Sequence, residues 1–197
     1  GMAEIKAYKP STNSLSEGQV LAEPYPYDKA RIIVAEMADS LVFQLTDKNL
    51  VTDGLTLDVG YDRENCDKGS YRGPVHIDHY GRSVPKGAHG STHLGNPSNL
   101  GSTIVTAAVE LFDRIANRSL TVRRITMAAN RVVQDEGVYQ FDLFSDVEKQ
   151  EKEKTLQKAL LGIKKKYGKN AILKGTNFLD GATMRDRNKQ IGGHKES

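Results

Sequence analysis

His76, His79, His89 and His93 stand in one stretch of chain with Cys66 upstream, at spacings that zinc ligands use. No pair of them sits on a recognisable zinc-finger frame, and a loop must bring the pairs together. The same imidazoles can donate to phosphate oxygens without a metal. A zinc-binding domain built on these four histidines is therefore the alternative, and no metal is the first expectation. Cys66 has no identifiable base nearby, and Asp62, Glu64 and Asp67 around it disfavour a thiolate, so nucleophilic chemistry is not expected there. The glycines between 87 and 101 come without the Gly-Lys-Ser or Gly-Lys-Thr signature of a phosphate-cradling loop. Asp58, Asp62 and the glutamates between 148 and 153 read as surface charges, not as a catalytic set. The catalytic expectation is none.

A different chemistry is written at Gln140, Phe141, Asp142, Leu143 and Phe144. Two large apolar side chains stand side by side at 143 and 144, with polar groups on the same short segment. That combination suits a peptide whose apolar pair anchors in a partner's pocket while the polar groups set register. The competing possibility is a last strand that packs Phe141, Leu143 or Phe144 into the chain's own core. Adjacent Leu143 and Phe144 break the strand alternation, and the charged run SDVEKQEKEK follows at once, which favours docking.

The chain has 197 residues, enough for one good core plus a tail, or two small domains. Hydrophobic residues make up 38% and charged residues 27%, an ordinary balance for a soluble protein. No apolar run is long enough for a membrane span or a signal peptide, so a cytoplasmic protein with no membrane partner is expected. A single cysteine excludes an internal disulfide and fits a reducing compartment. The net charge of +3 is too small to diagnose a partner, so the distribution of charge matters more than its total. Gly1 before Met2 reads as a tag-cleavage scar, with sequence upstream expected to be missing.

Several elements must position these residues. Residues 3–14 carry no period and read as a linker. Gly18 to Ala22 suits a short strand that Pro24 and Pro26 stop, ahead of Asp28 as a helix N-cap. Val34, Met37, Ala38, Leu41 and Leu45 then recur as one buried helical face. Asn49 and Asp53-Gly54 punctuate, after which Leu55, Leu57, Val59 and Tyr61 alternate as a half-buried strand. Residues 62–100 are rich in Gly, His, Pro and Ser and should hold at least one more strand, around Gly87 to Leu94. A second helix is expected from Ser102, capped by Ser102 or Thr103, with Ile104, Val105, Ala108, Leu111, Phe112 and Ile115 on one face. A further strand turns Ile125, Met127 and Ala129 one way and Arg124, Thr126 and Asn130 the other. From Val147 to Tyr167 a charged helix is expected, with Leu156, Leu160, Ile163 and Tyr167 on its apolar stripe and Lys164, Lys165 and Lys166 near its negative end.

The order strand, helix, strand, strand, helix, strand predicts one sheet with both helices on a single face. The other face stays free, and it would carry Lys86, His89, His93, Arg124 and Thr126, a polar and partly basic surface fit for phosphates.

The local texts SEGQVL, EMADSL, LVTDGLTLDVGYD, VRRITMAANRV and RDRNKQIGGHK, set in this order of elements, resemble the C-terminal part of a bacterial Y-family translesion DNA polymerase, of the UmuC and DNA polymerase IV group. The resemblance runs from about residue 14 to the end, and LTLDVGYD, QFDLF and RNKQIGGHK are its most specific pieces. It implies an α+β fold, a little-finger-like β-α-β-β-α-β sheet with two helices on one face, followed by a partly helical C-terminal tail. The divisions that follow are a linker and tag scar at 1–13, a little finger DNA-binding domain at 14–138, a clamp-binding peptide at 139–146, and a charged helix and tail at 147–197. The partners implied are duplex DNA, through phosphates, and the bacterial sliding clamp, through Gln140, Phe141, Asp142, Leu143 and Phe144. The implied role is non-catalytic, in translesion synthesis during DNA repair and the SOS response. This part needs no cofactor, and Mg2+ belongs to catalytic domains expected elsewhere in the parent polymerase. A protein–protein module that recruits a repair regulator through the same sheet face is the alternative from another class.

Overall fold

A computed structural model of the chain describes residues 14–137 and 147–167. The linker at 1–13, the peptide Gln140–Phe144 and the tail beyond 167 lie outside the described residues. Strand β1 (Ser16–Tyr25) leads into helix α1 (Tyr27–Asp47), which is followed by strand β2 (Leu50–Tyr61). A short helical turn α2 (Glu64–Asp67) and a hairpin of β3 (Val75–Ile77) with β4 (Ser83–Pro85) come next, before strand β5 (Ala88–Ser98). Helix α3 (Gly101–Ile115), strands β6 (Val122–Asn130) and β7 (Val133–Gln134), and helix α4 (Val147–Tyr167) complete the order. The main sheet is antiparallel in the order β1-β6-β2-β5, with β7 paired to the start of β2. With the hairpin and α2 set aside, this is the expected β-α-β-β-α-β unit, and the fold class is α+β.

The alternation read in β2 and β6 is what places the core. Leu55, Leu57, Val59 and Tyr61 of β2 are buried beside Ile125, Met127 and Ala129 of β6. Ile33, Met37, Leu41 and Leu45 of α1 and Ile104, Leu111 and Phe112 of α3 close over them on one face. Each buried Leu, Ile, Val, Met or Phe among them contributes about 1.5–3 kcal/mol relative to exposure. Tyr27 stacks on Phe112 with ring centroids 5.1 Å apart and links the two helices. Gly90 lets α3 approach β5 closely, since a Cβ there would stand 2.7 Å from Ile115 Cγ2. No helix among the described residues is long and apolar enough to cross a membrane.

Several local expectations are corrected. Pro26, not Asp28, stands at the N-cap of α1, and Asp28 falls in the first turn, where a carboxylate favours the positive end of the helix. Asp53-Gly54 does not precede the strand but lies inside it. β5 crosses so close that a Cβ at Gly54 would stand 2.6 Å from the Thr92 carbonyl, and the β2–β5 register shifts between Thr52 and Gly54. The cap of α3 is not Ser102 or Thr103. Leu100 holds that position, without a side-chain hydrogen bond.

The missing cap comes from α4. Glu153 accepts hydrogen bonds from the Ser102 N–H and hydroxyl, each at 2.7 Å, and Gln157 Oε1 accepts from the Gly101 N–H at 2.5 Å. Glu153 is thus a structural acceptor and not merely a surface charge. Beside it Lys154 is buried, donating to Asn99 and, at 3.2 Å, to Asp135. Burial pushes its ammonium pKa down, and Asp135 opposes that shift. Further along, Lys165 pairs with Asp47 and the Lys164 ammonium lies 5.3 Å from the Phe43 ring centroid, so these two lysines contact α1. Leu156 is 58% exposed and Ile163 38%, because α4 docks through its polar side.

Candidate nucleic-acid interface

Residues directly opposite one another in an antiparallel pair project from the same face, so the register maps the side of the sheet away from the helices. One row across it is Val20, Arg124 and Gly60; the next is Gly18, Thr126, Asp58 and His89; the third is Ser16, Ala128, Thr56 and Ser91. Apart from the β3–β4 hairpin at one end, the described residues leave this face uncovered, and most of its side chains are small. Thr56 bonds Ser91 at 3.1 Å and accepts from Asn130 Nδ2 at 2.9 Å, which holds the polar centre in place.

Arg124, Thr126 and His89 come together on this face, as the alternation predicts. His89 Nδ1 lies 2.5 Å from Asp58 Oδ1, so the one carboxylate in the centre of the face has an imidazole beside it. His93 lies further along β5, opposite Gly54, with Arg131 Nη2 3.2 Å from its Nδ1. Arg131 in turn pairs with Asp53 at 2.6 Å. Lys86 is off the predicted strand: it is exposed in the short link between β4 and β5, where its backbone N–H donates to the Pro74 carbonyl at 2.9 Å.

Two features of the face were missed in the sequence. The first is a bulge. Gly60 faces Arg124 while Tyr61 faces Val122, so Arg123 is an extra residue in β6, and both arginines line the same groove. Two consecutive arginines in a strand were the available signal, since strict alternation would have sent one of them into the core. The second is Gly60 itself, over which the stem of Arg124 lies; a Cβ there would meet Arg124 Cγ at 3.3 Å. Among the described residues, the Arg124 guanidinium has no hydrogen-bond or ion-pair partner.

The groove has a volume of about 920 Å³ and runs between this edge of the face and the β3–β4 hairpin. Its cationic lining is Arg63, Arg82, Arg123 and Arg124, with His76 and His79 on the hairpin side. Two carboxylates also line it, and both are engaged. Asp62 accepts from the Glu64 N–H at 2.9 Å and stands 4.0 Å from Arg123 Nε. Asp78 accepts from the backbone N–H groups of Tyr80 and Arg82, and the Arg82 contacts hold its carboxyl below the usual range. Among the described residues, no three His, Cys, Asp or Glu side chains converge as metal ligands. His76 and His79 lie by the hairpin while His89 and His93 lie along β5, so the zinc alternative lacks its ligand cluster. Burial and the neighbouring Asp67 raise the Cys66 thiol pKa, which is the wrong direction for a nucleophile.

An antiparallel α+β sheet with two helices on one face and the other face open defines a little-finger-like domain. The sequence pattern of the impB/mucB/samB family C-terminal domain matches residues 12–143, and the chain belongs to that family, the C-terminal region of Y-family translesion polymerases. Over 111 residues it is 28% identical to the protein named DNA polymerase IV 2 of Halalkalibacterium halodurans. That match covers 56% of this chain and 26% of the relative, so it spans about a quarter of the relative's length.

Proposed function

We propose that this domain holds duplex DNA by its phosphates, without reading sequence, as the guiding part of a translesion polymerase in the cytoplasm. The observation that carries this is Arg124, laid over Gly60 on an uncovered sheet face, its guanidinium without an acceptor among the described residues. Phosphate oxygens are the acceptors that such a group fits. Thr126 and His89 lie one row away, and the small residues around them let a backbone approach closely. Contacts of this kind fix position and carry no sequence information, which suits an enzyme that must slide.

Gln140–Phe144 would dock the domain on the sliding clamp, and its support is the residue pattern itself. Two modest contacts, one to DNA and one to the ring around it, lengthen residence by raising effective concentration. Nucleotide transfer and the Mg2+ it uses are assigned to other parts of the parent polymerase. In keeping with that, Asp58, Asp62 and Glu153 each have structural partners here.

The test is fluorescence anisotropy of a labelled duplex titrated with this chain at several salt concentrations. Affinity should fall steeply between about 50 and 200 mM salt and be nearly independent of base sequence. Binding that ignored salt, or no binding to duplex at all, would transfer the face to the protein-recruitment alternative, whose apolar contacts salt does not screen.

A further inference from the structure

The sheet face makes no use of the β3–β4 hairpin, whose tip is built to hold an aromatic ring in solvent. Asp78 and Arg82 close the tip: the Asp78 N–H donates to the Arg82 carbonyl at 2.8 Å, and the Gly81 N–H donates to the Asp78 carbonyl at 3.0 Å. The Asp78 carboxylate then accepts from the Tyr80 N–H at 2.9 Å, the Arg82 N–H at 2.8 Å and Arg82 Nε at 2.9 Å. Gly81 at φ +77° supplies the left-handed residue that this turn needs. On this braced turn Tyr80 is 79% exposed. The Arg82 guanidinium lies over its ring at 5.0 Å from the centroid, and the His79 ring meets it edge-on at 5.7 Å.

A large ring held out on a turn with so many internal hydrogen bonds does nothing for the core. It is also ordered in advance, so a planar ligand would stack on it at little further entropic cost. Tyr80 lines the same groove as Arg63, Arg123 and Arg124, and Gly60 and Gly87 carry that groove onto the sheet face. An aromatic ring next to a track of guanidinium groups is the combination that holds unpaired nucleotides, with bases on the ring and phosphates on the cations.

We propose that the hairpin tip and its groove form a second nucleic-acid site that takes unpaired nucleotides, a base stacking on Tyr80 while Arg63 and Arg123 hold the flanking phosphates. Because the groove opens onto the sheet face, the preferred ligand is a junction between duplex and single strand. That preference rests on duplex binding by the sheet face; the stacking site itself does not.

The experiment compares a blunt duplex with the same duplex carrying a single-stranded extension of about ten nucleotides. The chain has no tryptophan, so Tyr80→Trp places a unique fluorophore at the tip. The native chain should bind the extended duplex roughly five- to tenfold more tightly than the blunt one. Tyr80→Ala should lose that difference and keep its affinity for blunt duplex. Oligothymidylate should quench the Tyr80→Trp emission, whereas blunt duplex should not. Equal affinity for the two duplexes together with unchanged tryptophan emission overturns the stacking site while leaving duplex binding intact. Quenching by oligothymidylate without any duplex binding supports the tip site and removes the sheet-face function instead.

Discussion

Arg124 crosses its neighbouring strand at Gly60, the one residue type there without a side chain to lift it. The stem packs along the β2 backbone, with Cγ only 3.3 Å from where a Cβ would stand. Changing Arg124 to Ala should lower duplex affinity roughly three- to tenfold and reduce the salt slope by about one, with thermal stability unchanged. Gly60→Val should weaken binding with Arg124 still present, because a branched side chain displaces the stem. Anisotropy and a melting curve on each variant check both statements.

Glu153 supplies the cap that α3 lacks, reaching from α4 to Ser102. Glu153→Ala should cost about 1 kcal/mol, the usual loss for a helix cap, and lower Tm by about 2–4 °C. Ser102→Ala should cost less, since the backbone N–H keeps its acceptor. Hydrogen exchange adds a second readout: amides in the first turn of α3 should lose protection in Glu153→Ala more than those of α1 do.

Asp113 of α3 ties α1 in place by accepting from Arg31 Nε at 2.9 Å and Nη2 at 3.1 Å, and from the Tyr27 hydroxyl. The Arg31 hydrogen bond is the main reason its carboxyl lies below the usual range. A carboxylate depressed in the folded state adds stability above the unfolded value of about 3.9 and loses it as pH falls through the folded one. The Tyr27 hydroxyl is shifted the other way, raised mainly by burial, so its contribution is present below about pH 10 and is lost as pH rises beyond. Urea midpoints should therefore drop in acid, and Asp113→Asn should flatten that drop. An unchanged acid limb in the variant would show that other carboxylates set it. Since Arg31 is half exposed, added salt should shrink the effect.

Leu143 and Phe144 are the predicted anchors of the clamp peptide. Replacing both with Ala should abolish binding to the sliding clamp in calorimetry and leave duplex affinity nearly intact. Clamp binding that survived the double change would sink the docking assignment.

Much of the fold is legible residue by residue. The spacing of Val34, Met37, Ala38, Leu41 and Leu45 marks α1, and the alternation in β2 and β6 names the buried side of each strand and, with it, Arg124 and Thr126 on the other. These patterns are local, set by periods of 3.6 and 2 residues that hold whatever the chain later packs against. The bounds of α4 were readable for the same reason, Val147 to Tyr167.

What depends on a partner across the fold was not legible. The role of Gly60 exists only because β6 carries Arg124 opposite it, and the bulge at Arg123 is a matter of pairing between strands more than 60 residues apart. The caps expected at Ser102 or Thr103 were displaced by Glu153, over 50 residues away, and that same docking leaves Leu156 and Ile163 of α4 exposed. The β3–β4 hairpin, with strands of three residues each, is too short for a period to show in the sequence, although it carries Tyr80. The sequence by itself thus determined the long elements α1, β2, α3, β6 and α4, the buried faces of α1, β2 and β6, and the family. Tertiary structure alone decided which polar groups meet, because a hydrogen bond or an open groove belongs to a pair of surfaces and neither segment encodes it alone.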